Sequence, residues 1–152
     1  MTIIDTIFET DIIAKLKTIA DVSVLDGFLV HYANDLLNED NALSFPCVAA
    51  QLDNDTVELK QGNTEGKISR TVKVIGAISV KNRAQVNKNL NDLVYKIRKA
   101  LCVDKFDATA KRATLATSID VGGTIYALPK SHDQYAYFEI NVVIKYVEKW
   151  ND

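Results

Sequence analysis

The chain is expected to fold as an α+β two-layer sandwich: a mostly antiparallel β-sheet with two main helices packed on one face. Three observations predict this. Two segments carry apolar residues at helical spacing, near residues 4–20 and 86–101. Two others, 68–80 and 134–147, alternate apolar and polar residues over more than ten positions. The resulting order is helix, strand-rich, helix, strand-rich, and two helices over one sheet face is the economical way to bury both kinds of apolar surface.

The first helix is marked by Ile4, Phe8, Ile12, Leu16 and Ile19, with Ile7 and Ala20 widening the stripe. Thr2 and Asp5 fit a capping box, and Asp5 also suits the positive helix start. Residues 22–37 read two ways. Asp26-Gly27 between apolar runs suggests a hairpin, whereas 32–37 reads equally as a helical turn. Residues 38–44 are polar and read as a loop. Phe45-Pro46 then opens a strand over 47–52, because Pro is tolerated at a strand's first position.

Asp53-Asn54-Asp55 reads as a turn, followed by a short strand over 57–60. QGNTEGK, 61–67, reads as a polar loop. In 68–80, Ile68, Val72, Val74, Ile78 and Val80 share one parity; Ser69, Thr71, Lys73 and Ser79 share the other. Ile75 and Ala77 make that second face partly apolar, as a face covered by another chain would be. The second helix is drawn by Val86, Leu90, Leu93, Val94, Ile97 and Leu101, with Asn82 as its expected cap and Lys96, Arg98 and Lys99 near its negative end. After a connection over 103–111, a strand over 113–121 is expected to turn at Gly122-Gly123 and return over 124–128. A further turn, 129–133, leads to the long strand 134–147. There Ala136, Phe138, Ile140, Val142, Ile144 and Tyr146 face one way, and Tyr135, Tyr137, Glu139, Asn141 and Lys145 the other.

Composition bounds function without choosing it. The 152 residues amount to one domain, 1–152, large enough to build a core without staples. Eighteen Lys and Arg against twenty Asp and Glu give a net charge of −2, which argues against phosphate neutralisation as the main task. No basic start precedes an apolar run, and Asp5, Glu9 and Asp11 interrupt the N-terminal segment, so neither a secretory signal nor a membrane span is expected. Cys47 and Cys102 are then expected to be reduced and mostly buried in a protein made in the cytoplasm.

Chemistry-bearing residues are sparse. His31, His132, Cys47 and Cys102 show no ligand spacing, so no metal, cofactor or catalytic residue is assigned. Gly122-Gly123 lacks both the dinucleotide and the P-loop patterns. Lys96, Arg98, Lys99, Lys105, Lys111 and Arg112 form either a solvated helix end or a patch for an acidic partner or DNA. Tyr135 and Tyr137 fit an interface or ordinary cross-strand pairing. Trp150 fits a core lid or an interface anchor. Segment 53–67 reads as an arm that orders on assembly or as a plain hairpin.

The layout resembles a known family. An N-terminal helix leads to FPCVAAQL, then SRTVKVIGAISV, then the helix VNKNLNDLVYKIRKAL, and a closing strand YFEINVVIKYV. This is similar to the tail terminator, or tail completion, proteins of long-tailed bacteriophages, over nearly the whole chain. The resemblance implies a non-enzymatic virion structural protein that forms a ring, expected to be a hexamer. That ring would cap the tail tube, end its polymerisation and offer the head-to-tail connector a docking surface, with DNA only passing through the lumen. It implies assembly in the host cytoplasm and a place at the head-proximal end of the tail. Other neck or minor tail proteins, and a non-viral ferredoxin-like binding module, are the alternatives.

Overall fold

The computed structural model describes residues 2–25, 45–62, 64–102, 116–127, 129 and 134–150. Its sheet has five strands in the order β1-β2-β3-β5-β4: β1 Ser23–Leu25, β2 Cys47–Gln61, β3 Glu65–Ser79, β4 Ser118–Ala127 and β5 Tyr135–Lys149. β1 runs parallel to β2, and every other pairing is antiparallel. The N-terminal helix and the helix Val86–Leu101 share one buried apolar cluster with a single sheet face. The α+β two-layer sandwich is therefore the fold.

The N-terminal helix has three parts: α1 Ile3–Ile7, a π-helical stretch Phe8–Ile13, and α2 Ala14–Leu16. Its start is the expected capping box. Thr2 Oγ1 accepts from the Asp5 N–H, and the Thr2 N–H donates to Asp5 Oδ2 at 3.0 Å. The Thr2 hydroxyl also donates to Asp5 Oδ2, at 2.6 Å, and this bond first, with that of the Thr2 N–H second, holds the Asp5 carboxyl below its ordinary value. The helix ends earlier than the stripe predicts. Within it, the Ala14 N–H donates to Glu9 O, five residues back. This wider turn adds Ile13 to the buried side beside Ile12, and Asp11 is buried there too. Strict 3.6-residue spacing leaves Ile13 off the stripe, whereas Asp11, four residues after Ile7 and seven after Ile4, lies on it.

The 22–37 segment resolves in part: 23–25 are β1, paired parallel with Cys47, Val48 and Ala49. Residues 26–44, with His31, lie outside the described residues. So do 103–115 and 130–133, with Lys105, Lys111, Arg112 and His132.

Two expected turns are bulges inside continuous strands. Asp53-Asn54-Asp55 does not end a strand; β2 runs on to Gln61, with register shifts between Leu52 and Asp55 and between Val57 and Leu59. Gly122-Gly123 is not a hairpin turn. Val121 pairs with Val142 and Thr124 with Ile140, so β4 carries one extra residue there and continues along the same partner. A Cβ on Gly122 would lie 2.9 Å from Asn141 O, so the strand passes β5 more closely there than any side chain allows. Composition marks a Gly-Gly pair as a break, but an adjacent strand decides whether the chain turns or bulges.

The QGNTEGK loop is also shorter than expected. Glu65–Ser79 is all β3, and between it and β2 the described residues Gly62, with φ +58°, and Thr64 are in turn conformation.

α3, Val86–Leu101, buries all six predicted apolar residues. Its entry differs from expectation. A 3₁₀ turn, Arg83–Gln85, precedes it, and Asn82 contributes its backbone carbonyl to the Gln85 N–H at 3.0 Å instead of a side-chain cap. On the sheet, both predicted parities hold. Val72, Val74, Phe138, Ile140, Val142 and Ile144 are fully buried beneath the helices. Each such side chain contributes about 1.5–3 kcal/mol relative to exposure. Tyr146 closes this face near Arg70. Burial raises its phenol above the ordinary value, Glu148 adds to the rise, and Arg70 opposes it.

Candidate interaction surface

Because both helices occupy one face, the other sheet face carries the polar parity. It divides into two regions. Towards the β2–β3 turn it is charged and paired across strands. Lys73 Nζ lies 3.1 Å from Glu139 Oε1 and 3.7 Å from Asp53 Oδ2, and Lys145 Nζ lies 3.4 Å from Glu58 Oε1. The Lys73 ammonium is held above its ordinary value by its bond to Glu139 first, then by that carboxylate's charge and by Asp53. Opposite charges thus neutralise one another across β2, β3 and β5.

Towards the other end the face is apolar. Cys47 and Ala77 are buried, with Phe45 and Ile75 packed against them. The Phe45 ring stacks on Tyr135, centroids 4.4 Å apart and planes 16° from parallel. Tyr135 is therefore engaged within its own chain. Tyr137, two residues on, is exposed. Burial pushes the Cys47 thiol up to about 12, which removes it as a nucleophile near neutrality. Cys102 corrects the expectation of two buried thiols: it is exposed, because it is the C-cap of α3 and its backbone has left the helix.

β4 is the outermost strand among the described residues on its side of the sheet. Ile125, on the polar-parity face, is 67% exposed, and Tyr126, on the helix side, is 39% exposed. Tyr126 leans towards Phe138, with ring centroids 6.3 Å apart, and borders an open groove lined also by Asn87, Leu90 and Asn91. Arg98 ties α3 to this strand by donating from Nη2 to Thr124 Oγ1 at 3.0 Å. Lys96 pairs with Asp92 at 2.9 Å. Two of the three described cations in the predicted basic cluster are thus committed to local partners.

The 53–67 segment is the end of the β2–β3 hairpin, built into the sheet. β3 pairs with β2 on one side and with β5 on the other, as far as Glu65 opposite Lys149. Trp150 closes this end: its backbone N–H donates to Thr64 O at 2.6 Å, and its indole N–H to Glu148 Oε1 at 2.8 Å. The indole stays 39% exposed, so Trp150 is not a core lid.

A cleft of about 310 Å³ lies between α3 and the turn after the first helix, lined by Asp21, Val22, Pro46, Asn89, Asp92 and Lys96 among others. Among the described residues, no three His, Cys, Asp or Glu side chains gather as a metal site, and no helix is long and apolar enough to cross a membrane. The sequence reading missed the β4 edge. Its signal is VGGTIYA, seven residues without a charge, in which the Gly-Gly pair reads as a turn. No protein-family model matches the chain, and no curated protein does.

Proposed function

We propose that this chain is a phage virion structural protein that caps the tail tube, ends its polymerisation and provides the head-to-tail joining surface, working as a hexameric ring. One observation carries most of the weight. Among the described residues both helices lie on one side of the sheet, and the other side carries the half-buried Ile75 and the exposed Tyr137 beside its polar residues. Apolar and aromatic side chains left on a sheet face beside polar ones are the composition that interfaces favour. Further support comes from the layout resemblance and from the three-stranded end around residues 55–70, which offers a pre-ordered extension for contact with a neighbour. A ring forms when two different patches on each copy join and the rotation closes.

Light scattering across a range of concentrations, with and without purified phage tail tube, tests this. A closed oligomer near six protomers, or one that forms only on tube ends, supports the proposal. A monomer that ignores tube ends removes it. Binding to a neck or connector preparation and not to the tube would instead assign the chain to another head-to-tail component. The cleft beside Asp21 favours a second reading, a small-ligand binding module, because apolar walls there meet Asn89, Asp92 and Lys96. A ligand-induced rise in melting temperature, in a chain that stays monomeric, would support that reading.

A further inference from the structure

The two sides of the sheet differ in how they are guarded. Among the described residues β2 pairs with β1 as far as Ala49, and its remaining length carries Asp53, Asp55, Glu58, Lys60 and two register shifts. Charges and bulges are the means by which natural strands discourage edge pairing. β4 has one bulge but no charge from Val121 to Ala127, and both of its faces end in exposed apolar side chains, Ile125 and Tyr126. An uncharged apolar edge of this kind accepts another strand.

We infer that β4 receives the β4 of a second copy of this chain, antiparallel, about a two-fold axis at Ile125. A second copy fits because the strand is complementary to itself in this register. Ile125 meets Ile125 of the second copy, so the most exposed apolar side chain on the strand buries its own counterpart. Thr124 falls opposite Tyr126 of the second copy. Arg98, already held on Thr124 Oγ1 at 3.0 Å, then lies beside that tyrosine ring, where a guanidinium is attracted by the ring face. Gly123 falls opposite Ala127, and with no side chain of its own it puts nothing between the two backbones. Asp120, the strand's one charged residue, lies five positions from the axis and far from its own counterpart. Two five-stranded sheets become one. This contact uses the same patch on both copies, so it is distinct from the head-to-tail contacts of a ring and does not depend on them.

Symmetric cross-linking tests the register. In a Cys102→Ser background, Ile125→Cys places two thiols directly opposite each other, within disulfide reach. Asp120→Cys places its two thiols roughly 33 Å apart, at about 3.3 Å per residue along the strand. Mild oxidation is expected to give a covalent dimer from the first variant and not from the second. Equal linkage of both, or linkage of neither, overturns the inference. Sedimentation of Ile125→Lys supplies a second readout. The exposed position tolerates the lysine, the circular dichroism spectrum is expected to be unchanged, and two like charges at the axis should weaken dimerisation by about tenfold or more. Unchanged association overturns the two-fold pairing. Tube-end binding is scored separately. A chain that links through residue 125 but ignores tubes keeps this inference and loses the terminator proposal, and the converse result does the opposite.

Discussion

The Asp11 carboxylate, 2% exposed, accepts a hydrogen bond from the Ala116 backbone N–H at 3.1 Å, joining positions 105 residues apart in the chain. It ties the π-helical turn to the segment that enters β4. A buried acceptor in a bond of this kind contributes about 1.5–3 kcal/mol, and deleting it leaves a desolvated site behind. Asp11→Ala is therefore expected to lower the urea midpoint by an amount equivalent to about 2 kcal/mol. Asp11→Asn, which keeps a carbonyl oxygen, should lose less. Equal midpoints for wild type and Asp11→Ala would show that the bond contributes nothing to folding.

Gly76 and Phe138 are cross-strand partners, and the tip of the ring lies over the glycine. A Cβ at residue 76 would collide with the ring's Cζ and stand 2.7 Å from its Cε1. Phe138 is fully buried and has nowhere to retreat. Overpacking of this kind typically costs about 1–3 kcal/mol. Gly76→Ala should be destabilising by that much, and Phe138→Leu should restore part of the loss when the two are combined. A thermal-melt double-mutant cycle with no coupling between them would contradict this packing.

The two glycines of the β4 bulge should behave differently. Gly122→Ala forces a methyl against Asn141 O, whereas Gly123→Ala points into open space. Urea titration is expected to show a clear drop for the first and a change within about 0.5 kcal/mol for the second. The reverse order would mean that the bulge is placed one residue away.

The cysteines should separate by reactivity. With an aromatic disulfide reagent near pH 8, the exposed Cys102 is expected to react rapidly and Cys47 only after denaturation. The pH dependence follows from the same burial. Above about pH 9 the unfolded Cys47 thiol ionises while the folded one, raised to about 12, does not. Deprotonation then favours the unfolded chain, so stability should fall with rising pH more steeply in wild type than in Cys47→Ala. Parallel slopes between pH 9 and 12 would rule out that linkage.

Periodicity alone determined most of this architecture. Six apolar residues from Val86 to Leu101 at helical spacing, and the strict alternation along 68–80 and 134–147, each demand one buried face. The α+β class follows from joining those faces. Thr2 and Asp5 were legible for the same reason: a capping box involves neighbours in the chain. Tertiary structure decided what depends on distant partners. Asn54 and the Gly122-Gly123 pair lie in bulges because adjacent strands continue past them. Asp11 can be buried on the apolar side of its helix because the fold brings the Ala116 N–H to its carboxylate. Tyr135 stacks on Phe45, Trp150 closes the β2–β3 end, and Ile125 is left exposed on an outer strand. None of these is a property of a local window, since each is set by which segments the folded sheet brings side by side.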